Sequence, residues 1–188
     1  MENYERYKNI TADSYEKKRI MYYLCQIPSD KKILDVGCGS GLYTKFLIKK
    51  NKVVGIDQNP HLCRLSIPLH KGDATQLSKI IGDEKFDMVF STWMTKYLNP
   101  EQLSAFLSEA EKVLNKQGIF ISTFISNYCL GCAYIKFAKQ LKNVDKHRYS
   151  KKQISELIDR VGFRNIEIIN INSRLNIPWA YLATAEKI

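Results

Sequence analysis

The 188-residue sequence predicts an α/β domain: a seven-strand, mostly parallel sheet with helices on both faces, an antiparallel last strand and an N-terminal helical cap. Three observations predict it. Short apolar runs of strand length alternate with amphipathic segments of helical period, the pattern of a parallel sheet wrapped by crossover helices. A glycine-rich turn at residues 37–41 separates the first such run from the helix after it. The last two runs are joined by Asn172-Ser173-Arg174, a connection too short for a parallel crossover, so they should pair antiparallel.

Taken in order, residues 12–26 set Tyr15, Ile20, Tyr22, Tyr23 and Leu24 among Glu16, Lys17, Lys18 and Arg19, a helix with an aromatic face that stops at Pro28-Ser29-Asp30. Residues 32–36 form the first strand and 42–50 a helix with Leu42, Phe46 and Leu47 inward. The second strand is 53–57, and Asn59-Pro60 opens a short helix that carries the chain to the third strand segment around Leu69-His70-Lys71-Gly72-Asp73. Residues 86–91 are the fourth strand, 100–114 a helix begun by Asn99-Pro100, and 118–125 the fifth strand. Residues 126–149 break the rhythm with a helix around 133–141 and a basic stretch at 142–148. Extra chain after a strand's C-terminal end belongs over a cleft. A helix from Ser150, with Ile154, Leu157, Ile158 and Val161 inward, leads to strands at 166–171 and 179–185. Residues 1–188 are therefore expected to form one domain, with 1–30 its cap and 126–149 an insertion over the cleft.

Composition narrows the setting. With 45% hydrophobic and 26% charged residues the chain is globular and long enough to bury a core without disulfides or metal. The cysteines number five, and the N-terminus has no basic segment followed by an apolar one, which predicts a reducing, cytoplasmic setting. No apolar run approaches the roughly 20 residues of a membrane-spanning helix. The net charge of +10 allows a nucleic-acid partner. Only seven of the 29 basic residues are Arg, the side chain shaped for phosphate and base recognition, so a solvated lysine-rich surface is the expectation.

The chemistry centres on Asp35-Val36-Gly37-Cys38-Gly39-Ser40-Gly41, with Asp57 twenty positions after Gly37. Glycine lets the backbone turn sharply and approach a ligand, and a carboxylate can accept from both hydroxyls of a ribose. A dinucleotide fingerprint wants its third glycine three residues after the second. Leu42 holds that place here and Gly41 falls one position early. The tighter spacing leaves less helix N-terminus for a diphosphate, so a ligand with ribose and adenine but no diphosphate fits better.

Ile33-Leu34-Asp35-Val36-Gly37-Cys38-Gly39-Ser40-Gly41 resembles the first motif of class I S-adenosylmethionine-dependent methyltransferases. Val54-Gly55-Ile56-Asp57, Lys71-Gly72-Asp73-Ala74 and Phe86-Asp87-Met88-Val89-Phe90-Ser91 resemble the second-, third- and fourth-strand motifs in the same order. Residues 111–118 are similar to the following helix-to-strand motif, with Lys116-Gln117 departing from its usual Pro-Gly-Gly. His147-Arg148-Tyr149-Ser150, then a helix and Gly162-Phe163, looks like the ending of the small-molecule (type 11/25-like) branch. The resemblance implies a Rossmann-like seven-strand fold and S-adenosylmethionine as cofactor. It sets Gly37, Cys38 and Gly39 against the methionine portion, with Asp35 near its amino group. Asp57 would hold the ribose, Gln58 flank the adenine, Asp73 accept from the adenine amino group and Ala74 offer its backbone N–H. Ser91 would contact the amino-acid end through its backbone.

Methyl transfer from a sulfonium needs in-line alignment and exclusion of water, not a metal, and a base only when the nucleophile arrives protonated. The expected acceptor surroundings are Tyr15, Trp93, Tyr97, Asn127 and Tyr128, with Tyr15 and His147 as candidate catalytic residues. Where the family often carries His-His this chain has Lys96-Tyr97, and Lys96 reads as a solvated lysine. Cys129-Leu130-Gly131-Cys132 lacks the second pair a zinc site needs. Ser91-Thr92-Trp93-Met94 is not the Asn/Asp-Pro-Pro-aromatic run of enzymes that methylate exocyclic or amide nitrogens. A small-molecule substrate methylated on O or N is the leading expectation. An RNA base methyltransferase using the lysine-rich surface and a catalytically silent cofactor-binding module are the alternatives.

Overall fold

A computed structural model describes residues 15–127, 147–172 and 178–188. Helix α1 (Tyr15–Gln26) precedes strand β1 (Lys32–Val36), helix α2 (Thr44–Leu47) and strand β2 (Lys52–Asp57). Strand β3 (Leu69–Lys71), helix α3 (Leu77–Ile81), strand β4 (Phe86–Ser91), helix α4 (Pro100–Val113) and strand β5 (Leu114–Ile125) follow. Helix α5 (Lys151–Arg160) and strands β6 (Phe163–Asn172) and β7 (Pro178–Lys187) complete the order.

The seven strands form one sheet in the order β3-β2-β1-β4-β5-β7-β6. All neighbours pair parallel except β7, which runs antiparallel to both β5 and β6. The predicted sheet and its reversed last strand are thus present. Because β1 lies between β2 and β4, successive crossovers leave it in opposite directions, which opens a crevice beyond the C-terminal ends of the strands.

Alternation along the strands builds a core on each face. Leu34, Val36, Val54, Ile56, Val89, Phe120 and Phe124 share one with Leu103, Phe106 and Leu107 of α4 and Ile154 and Ile158 of α5. Ile33, Val53, Met88, Phe90 and Ile121 share the other with Ile20 and Leu24 of α1 and with Tyr43 and Leu47. Phe120 ties the first core together, with its ring 5.9 Å from that of Phe106 and 5.4 Å from that of Phe163. Helices α4 and α5 begin at capping boxes, Asn99 with Gln102 and Ser150 with Gln153, so their first turns satisfy their own orphan N–H groups.

Four expectations are corrected. The helix at 42–50 contracts to Thr44–Leu47, because Gly41, Leu42 and Tyr43 are spent on the turn after β1. Tyr22 is 70% exposed, since the buried face of α1 is set by Ile20 and Leu24. Strand β5 starts at Leu114, not 118, with Leu114 pairing Phe86 before a register shift. Gln117 there adopts φ 62°, a left-handed angle that a glycine would take at less cost. Finally, β6 and β7 each extend to ten residues, beyond the spans expected at 166–171 and 179–185. The N-terminal part of the expected cap, Tyr128, the Cys129 and Cys132 pair, the helix expected at 133–141 and most of the basic stretch lie outside the described residues.

Candidate active site

The turn after β1 is fastened to the end of β2. Gly37 and Cys38 donate their backbone N–H groups to the Ile56 carbonyl at 2.7 and 3.3 Å, and the Gly39 N–H donates to Asp57 Oδ2 at 2.8 Å. Gly37 sits at φ 74°, and a Cβ there would lie 2.7 Å from Met94 Cγ, so neither the backbone angle nor the space admits a side chain. The other Asp57 oxygen accepts from the Asn59 N–H at 2.8 Å. Each carboxylate oxygen can accept more than one hydrogen bond, so Asp57 is held in place with acceptor capacity left over.

Two further acids flank the turn in different states. Asp73, just beyond β3, accepts from the Thr75 N–H and hydroxyl at 2.8 and 2.7 Å and from Gln58 Nε2 at 3.3 Å. These donors, Thr75's above all, hold its pKa below the usual carboxylate range. Asp35 is 2% exposed; the Thr44 hydroxyl donates to its Oδ2 at 2.6 Å, while Oδ1 is buried with no partner. Burial pushes its pKa up to about 7; the Thr44 bond opposes that and the nearby Asp57 charge adds to it. The Cys38 thiol is raised as well, chiefly by burial and then by Asp35 and Asp57, which leaves it protonated and a poor nucleophile.

A cavity of about 550 Å³ opens over this turn. Of the residues singled out from sequence, Gly37, Cys38, Gly39, Asp57, Gln58, Asp73, Ala74, Trp93 and Tyr97 line it. Asp35 and Ser91 are buried and do not line it, and Asn127 is exposed away from it. His147 is half-buried; its N–H donates to the Lys96 carbonyl at 2.9 Å, so its backbone lies beside the cavity wall without lining it. Tyr15 opens α1, but its side chain is outside the described atoms, as is all of Tyr128.

The far wall follows β4. Trp93 adopts φ 58°, an uncommon angle for so bulky a residue. Its N–H donates to Thr123 Oγ1 at 2.7 Å and its indole N–H to the Tyr43 hydroxyl at 3.2 Å. The Thr95 hydroxyl donates to the Thr123 carbonyl at 2.6 Å, so one residue of β5 latches both ends of this bend. Lys96, read from sequence as solvated, is corrected: it is 7% exposed, lines the cavity, and sets its Nζ 4.9 Å from the Tyr97 ring centroid and 5.8 Å from that of Trp93. Tyr43, Met94, Leu98, Ile125 and Trp179 also line the cavity and were missed. Trp179 was legible in principle: with β5 and β7 antiparallel, the start of β7 must meet the end of β5, and Ala180 indeed pairs Ile125.

A profile described as "Methyltransferase domain" matches residues 34–122. Phosphoethanolamine N-methyltransferase 1 of Caenorhabditis elegans is 24% identical over 92% of this chain and 38% of its own length. The ubiquinone biosynthesis O-methyltransferase of Pelagibacter ubique is 27% identical over 73% of this chain and 62% of its own length. The chain thus spans less than two thirds of either curated relative. A SAM-dependent methyltransferase from Archaeoglobus fulgidus superposes with a TM-score of 0.78 at 19% identity, covering 98% of this chain and 99% of that one. Together with the strand order, this superposition shows the seven-strand fold of class I methyltransferases, within which residues 34–122 match the methyltransferase-domain profile.

The Thr123 latch is testable on its own. Thr123→Val keeps the shape but leaves the part-buried Trp93 N–H without that acceptor, at a cost of about 1 kcal/mol. Urea denaturation should show that loss, and a variant as stable as wild type would mean that the bend holds itself.

Proposed function

We propose that this protein transfers a methyl group from S-adenosylmethionine to an oxygen or nitrogen of a small molecule. The observation that carries the reading is the cavity at the strand-order reversal, with a fastened glycine turn and two acids on one side and an aromatic wall on the other. The chemistry of the lining suits a nucleoside without phosphates. Asp57 and Asp73 would repel a diphosphate. The Gly39 and Gly41 N–H groups, which a diphosphate would seek, already donate to Asp57 and to the Cys38 carbonyl. Helix α2, only four residues long, offers little dipole to an anion.

In this reading Asp57 accepts from the ribose hydroxyls, while Asp73 and the Ala74 N–H meet the adenine edge beside Gln58. Asp35, buried behind the turn, would act on the amino-acid ammonium as a nearby negative charge, and Gly37, Cys38 and Gly39 give that portion a surface with little bulk. Ser91 would contribute through its backbone. When bound, S-adenosylmethionine supplies a methyl carbon already activated by the sulfonium. The protein's own work is then to hold the acceptor in line and keep out water, through Trp93, Tyr97 and neighbours on β5 and β7. Tyr15 and Tyr128 belong to the acceptor side of the proposal, Asn127, which does not line the cavity, drops out of it, and His147 is the candidate to take the proton of a hydroxyl or ammonium acceptor. Residues 1–188 act as one methyltransferase domain. That relatives carry the names of an N-methyltransferase of phosphoethanolamine and an O-methyltransferase of ubiquinone biosynthesis supports a small acceptor of either kind. Among the described residues no helix is long and apolar enough to cross a membrane.

Three outcomes are expected. S-adenosylhomocysteine raises the melting temperature and NAD does not, because only a ligand of the native state stabilises it; the reverse pattern would favour a dinucleotide site. Asp57→Ala weakens S-adenosylhomocysteine by about 1–3 kcal/mol in calorimetry, and unchanged affinity would remove Asp57 from the ribose site. The third outcome concerns pH. With the Asp35 pKa lifted to about 7, its protonated form favours the free fold at low pH, and that contribution is lost as pH rises through about 7. A ligand ammonium favours the carboxylate instead, so affinity should weaken below pH 7 by up to about tenfold per unit. Asp35→Asn should flatten that dependence, and a wild-type affinity independent of pH between 5.5 and 8 would contradict the pairing.

A further inference from the structure

Among the described residues that line the cavity, the charged ones divide along the sheet. Asp73 follows β3 and Asp57 ends β2, whereas Lys96 follows β4, beside the end of β5 at Ile125 and the start of β7 at Trp179. In the order β3-β2-β1-β4-β5-β7, both lining acids fall on one side of the reversal and Lys96 on the other. At about 4.8 Å per strand, roughly 10 Å separates β2 from β4 and roughly 14 Å separates β3 from β4. Among the described residues that line the cavity, Lys96 is the sole Lys, Arg or His.

Its place is fixed by the fold. Lys96 sits in a single 3₁₀ turn, Thr95–Tyr97, anchored by the Thr95 hydroxyl on the Thr123 carbonyl, and its own carbonyl accepts from the His147 N–H. The ammonium rests over the rings of Trp93 and Tyr97, which favour a cation at that point and restrict its swing. Only 7% of the residue reaches solvent, so an entering molecule meets this group with little water between them.

Resting on the cofactor reading above, we propose that Lys96 is a specificity-determining residue and that the methyl acceptor carries an anionic group, a carboxylate or a phosphate. Such a group gains a charge-assisted hydrogen bond from the ammonium in a poorly hydrated place, where that bond is strongest. A neutral acceptor of the same size gains less. A cationic acceptor is repelled twice, by Lys96 and by the sulfonium next to which it must lie. Trp93 and Tyr97 then serve two purposes, as walls for the acceptor's body and as the platform for the cation.

The test uses wild-type protein saturated with S-adenosylhomocysteine and three probes of matched size, titrated calorimetrically at low salt: 4-hydroxybenzoate, 4-hydroxybenzamide and 4-hydroxybenzylamine. The benzoate should bind about tenfold or more tightly than the amide, and the amine most weakly. Lys96→Met should bring the benzoate-to-amide ratio close to one, while Lys96→Arg retains a preference for the benzoate. No benzoate binding, an equal or reversed order in wild type, or a ratio that survives Lys96→Met overturns the proposal. The wild-type comparison decides the matter even if a variant fails to fold. Failure of wild-type protein to bind S-adenosylhomocysteine is a different result, because it removes the cofactor reading and this proposal together.

Discussion

The Gly39 N–H to Asp57 bond is the constraint from which the site is built. It joins two segments 18 residues apart, the turn that closes β1 and the acid that closes β2, and it consumes a donor and an acceptor lone pair that would otherwise face the cavity. With the Gly37 and Cys38 amides also held by the Ile56 carbonyl, the turn has no freedom to present its N–H groups as an anion nest. What it presents instead is a surface of little bulk, from Gly37, Cys38 and Gly39, beside a carboxylate with spare lone pairs. A hydroxyl-rich, phosphate-free ligand is the natural complement of that surface. The same glycine turn, with its amides left unspent over a longer helix, would suit a diphosphate.

The cost of this arrangement is concentrated at Asp35. It stands on β1, between β2 and β4, with one carboxyl oxygen satisfied by Thr44 and the other by nothing. A buried, half-satisfied acid is a poor choice for stability alone. In the proposed reading, its charge is compensated when a ligand ammonium arrives. The opposite end of the cavity is arranged differently: Thr123 holds the left-handed bend at Trp93, and that bend aims two aromatic rings and an ammonium into the space. The proposed cofactor side is thus defined mainly by backbone and carboxylates, and the proposed acceptor side by side chains brought together from β4, β5 and β7.

That difference explains what could be read from sequence. The glycine turn, Asp57 and Asp73 stand at strand ends, where local spacing alone decides their position, and the alternating apolar runs announced the sheet. The few residues between β6 and β7 left no room for a parallel crossover, so the last strand had to be antiparallel. The acceptor wall has no such local signature. Trp179 reaches the cavity only through the pairing of β7 with β5, and Tyr43 only because α2 starts later than its apolar spacing suggested. Lys96 was misread because a lysine in a polar stretch is ordinarily solvated, whereas here two neighbouring rings and the Thr95 anchor draw it inward. Trp93's positive φ is equally invisible, since it is imposed by Thr123, 30 residues further on.

A crystal structure of the protein with S-adenosylhomocysteine tests the central claim most directly. The account predicts ribose oxygens within hydrogen-bond distance of Asp57, the adenine beside Asp73 and Ala74, and the sulfur turned toward Trp93 and Lys96. An adenosine bound elsewhere, or a ribose that leaves Asp57 with only its two backbone donors, would contradict it.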